Sequence, residues 1–384
     1  MRMNPDFLEV AVRGWTNDRD EHKKSSTECP PPPDQLLVFD TETTTNIPQR
    51  LHFGCAKLVR ISWKANGDNT YTCLSHEIDG EVIFHADDLA DFNPDGYAIL
   101  ASYCQANELS LISQCDFSDK WIRYFCETRP DAKGKVIAKA ALTGFNLPFD
   151  LSRIAYSYMN GRGKNKKAFT LNVHPPYRCT EGCAKEHTHV FNCNADCQKG
   201  HKKHITSDWP SHKFRPRIRI THLDSKKALI SWTSCKTDEF RTSKGERRPR
   251  TASESGRFLD VKQLIWGMTN KSHTLRSAGE AFGLPPELLK GETDNYEITP
   301  EFIAYNRQDT TTTAKLAVAA LTEYHTHPIR LQAVKVFSPA SIAKAYLREM
   351  GITPMMDRAP TTHACPVNCA EKGTEASPRC PEVS

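Results

Sequence analysis

The sequence predicts an α/β domain in which helices cover a central sheet. Residues 36–39 are apolar without interruption, which is typical of a central strand covered on both faces. Two further β-type runs, 57–63 and 70–78, flank an Asn-Gly turn and therefore predict an antiparallel hairpin. Apolar residues at helical spacing in 97–107 and 118–127 predict helices that cover one face of this sheet.

The charge of the chain is unevenly distributed. The chain has 384 residues, of which 38% are apolar, and its formal net charge is +5. Residues 162–250 contain 21 Lys/Arg against 8 Asp/Glu, which gives this segment a net charge of +13. The rest of the chain therefore carries a net charge of −8. A basic segment on an otherwise acidic chain predicts a polyanionic partner. With no signal-peptide pattern and no apolar run long enough to cross a bilayer, we expect a cytoplasmic or nucleoid-associated protein without a membrane partner.

Two carboxylates follow the first predicted strand. Asp40 and Glu42 are two residues apart, so in an extended chain their side chains leave from the same face. Neighbouring carboxylates repel each other unless a cation lies between them, and oxygen-rich sites suit Mg²⁺ or Mn²⁺. The pair therefore predicts a metal site, and a strand that ends in a solvated acidic turn is the alternative.

A third carboxylate lies at a predicted junction between a strand and a helix. Residues 138–145 have the character of a strand, and Asp150 opens an apolar segment with helical spacing. Such junctions are where α/β folds usually place their chemistry. As an alternative, Asp150 could simply cap the helix, which is the commoner role of an aspartate at this position.

A long helix is predicted near the C-terminal end. Thr299 and Pro300 form a good helix start, and the helical spacing continues to about Leu321. Tyr305 and Asp309 are four residues apart, so both project from one side, which can face the sheet. The alternative is that Asp309 makes ordinary surface contacts.

Three motifs occur along the chain in a fixed order: Asp40-x-Glu42, then Asn146-x-x-Phe149-Asp150, then Tyr305-x-x-x-Asp309. This ordered set resembles the tyrosine-bearing branch of the DEDD exonuclease superfamily, which includes the proofreading 3′–5′ exonucleases of DNA polymerases. The resemblance covers residues 35–160 and 256–325. It implies a ribonuclease-H-like fold, with a mixed five-stranded sheet flanked by helices.

The resemblance also implies a function. A metal-dependent 3′–5′ exonuclease would hydrolyse phosphodiester bonds at single-stranded or frayed DNA 3′ ends and release 5′-mononucleotides. Two Mg²⁺ or Mn²⁺ ions would lower the pKa of the attacking water, and their ligands would be Asp40, Glu42, Asp150 and Asp309. Glu42 and Tyr305 would orient that water, and the residues in contact with the terminal nucleotide would be Asn146, Thr43 and Phe149. The alternatives are a 3′–5′ exoribonuclease and a non-catalytic, zinc-stabilised nucleic-acid-binding protein.

The segment between the second and third motifs contains a short Cys/His repeat. Each half offers two thiolates and up to two imidazoles, which is the ligand set of a structural zinc site. A metal-free polar loop is the alternative, because the three-residue spacing between cysteines differs from the commoner two. The candidate ligands are Cys179, Cys183, His187, His189, Cys193, Cys197, His201 and His204.

A basic β-hairpin follows the Cys/His repeat. Residues 216–223 alternate strictly and 228–233 return, which places Arg217 and Arg219 on one face and apolar residues on the other. These arginines are candidates for phosphate contacts that hold a strand without reading its sequence. The alternative is a solvated charged surface.

The C-terminal end of the chain offers no second aspartate cluster that could serve a polymerase. Residues 331–352 are similar to the segment that joins exonuclease to polymerase in polymerase-like proteins of mobile elements. We therefore expect an exonuclease without polymerase activity, truncated from a longer ancestor or acting with a separate polymerase or replication protein. Asp260 lies outside the three motifs, and we expect it to be structural.

The expected organisation has six segments. They are a flexible lead-in (1–34), the N-terminal portion of the exonuclease core (35–160), the Cys/His-rich basic insertion (161–255), the C-terminal portion of the core (256–325), a helical extension (326–358) and a disordered tail (359–384).

Overall fold

The computed structural model describes residues 14–16, 31–46, 49–126, 129–130, 136–137, 140–161, 168–174, 217–224, 227–233, 235–241, 247–252, 257–289 and 296–354. The chain divides into two units. One unit is Glu28–Ala343 and contains both of the larger sheets. The other consists of Met1–Thr27 and Lys344–Ser384, and among its described residues the strand Gly14–Thr16 pairs antiparallel with Ile352–Pro354.

Strands outnumber helices along the described residues. The strands are β1 (Gly14–Thr16), β2 (Gln35–Thr43), β3 (Leu51–Ala65), β4 (Tyr71–His85), β5 (Ser110–Ser113), β6 (Arg129–Pro130), β7 (Val136–Ile137), β8 (Ala141–Gly144), β9 (Ser157–Asn160), β10 (Ala168–Asn172), β11 (Ile218–Asp224), β12 (Lys227–Trp232), β13 (Cys235–Arg241), β14 (Arg247–Ala252), β15 (Phe258–Asp260) and β16 (Ile352–Pro354). The helices are α1 (Leu89–Phe92), α2 (Pro94–Ala106), α3 (Gln114–Asp116), which continues into a π-helical segment (Phe117–Cys126), α4 (Leu147–Arg153), α5 (Val261–Thr269), α6 (Leu275–Ala281), α7 (Pro300–Tyr324) and α8 (Pro339–Glu349). Within these stretches of the chain, no helix combines the length and apolar character needed to cross a membrane.

The main sheet is mixed, and the prediction of an α/β fold with a mixed sheet flanked by helices is confirmed. Its strand order is β15-β8-β2-β3-β4-β5. The hairpin partners β2, β3 and β4 are antiparallel, whereas β8 runs parallel to β2 and β15 parallel to β8. In the described portion of the chain this sheet has six strands instead of the expected five, because β5 adds to β4 in parallel.

Strand β2 lies in the centre of the sheet and is buried as its composition predicts. Leu36, Leu37, Val38 and Phe39 are each 0% exposed. The neighbouring β3 approaches closely at Gly54, where a Cβ atom would come within 2.5 Å of the carbonyl oxygen of Asp40 and 2.4 Å of the Phe84 ring. A side chain at this position would therefore push β3 away from the strand that carries the first two acids.

The predicted basic hairpin is present as β11 and β12, with Ile218 and Ile220 fully buried and Arg217 and Arg219 half-buried. It belongs to a larger sheet with the order β12-β11-β10-β9. Because β9 (Ser157–Asn160) pairs with β10 (Ala168–Asn172), the boundary expected at residue 160 falls between two paired strands. The apolar face of this second sheet packs into the same core as the main sheet.

Helix α7 packs across β2 and β3. It begins where the sequence predicts, because the Thr299 hydroxyl accepts a hydrogen bond from the Phe302 N–H at 3.2 Å and Pro300 occupies the first turn. The helix continues to Tyr324, slightly beyond the expected end. Its buried face therefore delivers the third motif to the central strand.

Candidate active site

Asp40 and Glu42 lie at the end of β2 and are both half-buried, on either side of the buried Thr41. A β-bulge in β3 follows immediately, because Glu42 pairs with Phe53 whereas Thr43 pairs with Leu51. Bulges are over-represented beside active sites, where they redirect side chains and end regular pairing. The two acids therefore lie on β2 beside the point where the regular pairing with β3 is interrupted.

Helix α4 brings Asp150 to the same strand. Asn146 precedes the helix with a left-handed φ of 77°, a conformation that asparagine tolerates better than most residues. Asp150 lies in the first helical turn and is 2% exposed. Its Oδ1 accepts hydrogen bonds from the Thr41 backbone N–H at 3.2 Å and from the Thr41 hydroxyl at 2.8 Å. Asp150 therefore binds to β2. It does not cap α4, because the capping position of this helix is occupied by Asn146.

The environment of Asp150 disfavours its charged form. Burial raises the pKa of this carboxyl well above its usual value, and the nearby charges of Asp40 and, more weakly, Glu42 raise it further. The two hydrogen bonds from Thr41 lower the pKa but do not outweigh burial. The carboxylates of Asp40, Glu42 and Asp150, which come from two distant segments, thus interact electrostatically.

Helix α7 contributes a residue that the sequence did not single out. Asn306 is 0% exposed, and its side-chain Nδ2 donates to Asp40 Oδ2 at 2.8 Å and to Glu42 Oε1 at 3.2 Å. One amide group therefore holds both acids of the first motif. The only signal in the sequence is its position directly after Tyr305, because its partners lie 266 and 264 residues earlier.

The two predicted residues of the third motif flank Asn306. Asp309 is 2% exposed and lies three residues further along α7, on the side that faces the sheet. The half-buried Tyr305 ring stacks on Phe302 at 6.1 Å, and Phe302 in turn meets Phe53 of β3 edge to face at 5.7 Å. Aromatic packing thus fixes the start of α7 against the strand opposite Glu42.

Asp260 has a structural role, as expected. Its carboxylate caps α5 by accepting from the Gln263 N–H at 3.1 Å, and it also accepts from the backbone N–H of Asn146. Burial raises its pKa to about 6, although these hydrogen bonds act in the opposite direction. Asp260 therefore stabilises the left-handed turn that starts α4 and orients Asp150.

A partly buried ion cluster fixes α7 one residue beyond Asn306. Arg307 Nε lies 2.6 Å from Glu81 Oε1, and its Nη1 donates to the Tyr103 hydroxyl at 3.0 Å. Lys57, which is 4% exposed and faces Glu81 across the strand pair, approaches the same carboxylate oxygen at 2.9 Å. Burial by itself raises the pKa of Glu81, but the hydrogen bonds from Arg307 and Lys57 lower it to about 2. The cluster thus joins α7 to β3, β4 and α2.

The residues of the site supply oxygen ligands but do not form a finished coordination shell. No group of three or more His, Cys, Asp or Glu side chains is arranged to hold a metal ion among the residues that the structure describes. The Asn306 amide contacts Asp40 and Glu42, and the Thr41 hydroxyl contacts Asp150. The amide and the hydroxyl are neutral hydrogen-bond donors. They partly stabilise the negative charge of the carboxylates, which a divalent cation would neutralise. The donor set of half-buried and buried carboxylates fits a hard cation, which would require these side chains to turn.

The remaining predicted residues that the structure describes lie in three places. Thr43 is half-buried at the end of β2, and Phe149 lies in α4 with the Arg153 guanidinium 4.7 Å from its ring centre. Arg217 and Arg219 lie on the second sheet, where Arg217 Nη1 is 3.4 Å from the sulfur of Met159. The eight predicted zinc ligands, which span residues 179–204, lie outside the described residues, as does the predicted tail at 359–384.

Comparisons with protein-family models, with curated proteins and with solved structures find no match to this chain.

Proposed function

We propose that this protein is a metal-dependent 3′–5′ exonuclease that hydrolyses phosphodiester bonds at single-stranded DNA ends and releases 5′-mononucleotides. The observation that carries the proposal is the meeting of the three motifs. Asp150 hydrogen-bonds to Thr41 between the acids of the first motif, and Asn306 of the third motif binds both of those acids. The first and second motifs, more than a hundred residues apart, thus contribute carboxylates to one place, and the third motif contributes the Asn306 amide.

The strand order is compatible with the ribonuclease-H-like fold that the resemblance implies. Apart from the added edge strand β5, five strands form a mixed sheet in which a three-stranded antiparallel hairpin unit continues into two parallel strands. The acids of the first motif lie on the central strand of these five. We infer that the described core belongs to this fold.

In the proposed reaction, Asp40, Glu42, Asp150 and Asp309 would hold two Mg²⁺ or Mn²⁺ ions. When bound, the ions would supply Lewis acidity for the attacking water and for the leaving oxygen. Asn306 keeps the first two acids aligned, Tyr305 and Glu42 orient the water, and Thr43, Asn146 and Phe149 contact the terminal nucleotide. The expected partners are single-stranded or frayed 3′ ends and, in the cell, a separate polymerase or replication protein.

End-labelled DNA and RNA strands, incubated with Mn²⁺ or with EDTA, test this function. The proposal predicts stepwise shortening of 5′-labelled DNA from its 3′ end with Mn²⁺ and none with EDTA. Preferential shortening of RNA would identify an exoribonuclease instead. Binding of both strands without shortening would contradict hydrolysis and indicate a binding protein.

Neutralising the basic face of the second sheet is expected to weaken strand binding. The half-buried Arg217 and Arg219 project from the face opposite the buried Ile218 and Ile220. We expect Arg217→Gln with Arg219→Gln to reduce affinity for single-stranded DNA and to lower the slope of log K against log salt by about 1.4, since each phosphate contact contributes about 0.7. Anisotropy titrations at several salt concentrations measure this slope. Equal slopes for the parent and the variant would assign these arginines another role.

Asp150→Asn is expected to stabilise the metal-free protein and to reduce its response to Mn²⁺. Asparagine keeps an Oδ1 acceptor for both Thr41 donors but removes a charge that burial and neighbouring carboxylates disfavour. In EDTA the variant should therefore melt at a higher temperature than the parent. Mn²⁺ at a hundredfold excess over its Kd should stabilise the parent by about 2.7 kcal/mol and the variant by less. An equal Mn²⁺ response of both proteins would remove Asp150 from the ligand set.

A further inference from the structure

The Asn306 amide lies between the two acids of the first motif. Its Nδ2 is 2.8 Å from Asp40 Oδ2 and 3.2 Å from Glu42 Oε1, so one amide nitrogen donates to two carboxylates of the same strand. The side chain is 0% exposed. In the opposite orientation the amide would point its carbonyl oxygen at both carboxylates, which would repel it. The charges of the site therefore determine which end of the amide faces the acids.

The other end of the same amide lacks comparable support. Asn306 Oδ1 is enclosed, and within the part of the chain that the structure describes it has no hydrogen-bond partner. An enclosed acceptor without a partner is unfavourable, and such a group in a folded protein calls for an explanation. What holds the amide in this orientation is therefore its pair of hydrogen bonds to the carboxylates. A ligand that binds these carboxylates more strongly removes the reason for the orientation.

The backbone of Asn306, in contrast, is fixed within α7. The Thr310 hydroxyl donates to the Asn306 carbonyl oxygen at 2.9 Å. The next residue, Arg307, forms an ion pair with Glu81, with 2.6 Å between Nε and Oε1. The helix also packs against β2 and β3. A change at Asn306 is therefore confined to rotation of its side chain, while the helix and the strand keep their positions.

A divalent cation and the Asn306 amide would compete for the same carboxylate oxygens. Each reduces the repulsion between Asp40 and Glu42, the amide through the partial charges of its N–H groups and the ion through two full charges. Mg²⁺ binds oxygen ligands at about 2.0–2.1 Å, which is closer than the amide nitrogen approaches either acid. The amide nitrogen thus takes the space between the two oxygens that an ion shared by them would need.

We propose that Asn306 is a positioning residue that acts as a placeholder for the cation. Its amide keeps Asp40 and Glu42 together until an ion binds, and it turns away when both acids coordinate the ion. Asn306 thereby sets the cation concentration at which the site fills. This inference rests on the proposed exonuclease function, because it takes these acids as metal ligands. When only a fraction of the molecules has the competent arrangement, the apparent affinity falls by that fraction, and removing the competing donor restores it.

Two variants of the full chain that lack the donor test the placeholder. Asn306→Leu adds apolar bulk and Asn306→Ala leaves space, so effects that they share come from the lost amide. We expect both to bind Mn²⁺ at least about 10-fold more tightly than the parent in isothermal titration calorimetry, the factor that corresponds to one hydrogen bond to a charged group. In EDTA both should melt at a lower temperature than the parent, because the carboxylates lose their donor. In saturating Mn²⁺ this difference should become smaller.

Thr310→Val is the matched control. Thr310 is also 0% exposed and lies one turn further along α7, but its hydroxyl bonds to the backbone of Asn306 and not to an acid. Valine should lower the melting temperature by the same amount in EDTA and in Mn²⁺, and it should leave the Mn²⁺ affinity unchanged. If Asn306 has only a structural role, its variants should show the same pattern as this control.

Mn²⁺ affinity that is equal to or weaker than that of the parent in both Asn306 variants would overturn the inference. If the parent binds Mn²⁺ and the variants bind it no more tightly, only the placeholder role is lost, and the cation site of the proposed exonuclease stands. If neither the parent nor the variants bind Mn²⁺, the cation site is contradicted, and the proposed function and the placeholder are both lost.

Discussion

Replacing Asp40 or Asp309 by asparagine is expected to abolish strand shortening. Asparagine keeps the size of each side chain but removes the charge with which it would hold a divalent cation. Asp40 also accepts from Asn306 at 2.8 Å, a hydrogen bond that the asparagine oxygen can retain, so the local packing should persist. We expect the rate of shortening to fall by at least about 10³-fold, the scale of losing a group that stabilises transition-state charge.

The same variants should still bind single-stranded DNA with an affinity close to that of the parent. A matched control is Asp79→Asn, because Asp79 forms a surface ion pair with Arg60 on the β3–β4 hairpin. This control should shorten strands at the parent's rate. Shortening at the parent's rate by both site variants would remove the acids from the mechanism.

The second large effect is a loss of unfolding free energy on substitution of Glu81. Glu81→Gln would leave the buried Lys57 and the half-buried Arg307 without their shared counter-charge. Removing one partner from a fully buried ion pair costs about 3–5 kcal/mol of unfolding free energy, and this partly buried cluster should lose less, about 2–3 kcal/mol, because Lys57 stays desolvated. Glu77→Gln on the same strand is the control, since the Arg60 and Glu77 side chains are 51% and 66% exposed. That substitution should change stability by no more than about 0.5 kcal/mol. Urea unfolding at pH 7 measures the unfolding free energy of both variants. Equal losses of unfolding free energy in Glu81→Gln and Glu77→Gln would contradict the role of the cluster.

The pH dependence of unfolding provides an independent check on Glu81. Its pKa is lowered from 4.5 to about 2 in the folded protein. A carboxyl whose folded pKa is lowered stabilises the fold above its unfolded pKa, and this contribution is lost as the pH falls. The parent should therefore lose stability between about pH 4.5 and pH 2 more steeply than Glu81→Gln. Parallel profiles in this range would show that Glu81 is not held as a charged group.

The elements that local patterns specify could be predicted from the sequence. The uninterrupted apolar run before Asp40 predicts a strand buried on both faces, and the Asn-Gly turn predicts the β3–β4 hairpin. Thr299 and Pro300 predict the start of α7. In each case neighbouring residues determine the geometry, so no knowledge of distant contacts is needed.

The residues that fix the site geometry could not be predicted in this way. Asn306 and Glu81 are polar residues whose roles depend on partners that are far away in sequence. A structural role is expected for Asp260 from the sequence, but its contact with the distant Asn146 is not. Edge strand β5 has four residues and little alternation, so its pairing with β4 depends on the position of the hairpin. The predicted helix at 118–127 is present with π-helical geometry at Phe117–Cys126, a form that apolar spacing alone does not distinguish from an α-helix.

Binding of Mn²⁺ to the full chain, followed by the electron paramagnetic resonance signal of the free ion, tests the central claim most directly. The acids from the three motifs should bind about two ions per chain. A variant that combines Asp40→Asn and Asp309→Asn should lose that binding, while Asp79→Asn retains it. If the parent and the combined variant bind the same amount of Mn²⁺, the acids do not form a cation site, and metal-dependent hydrolysis at this position is contradicted.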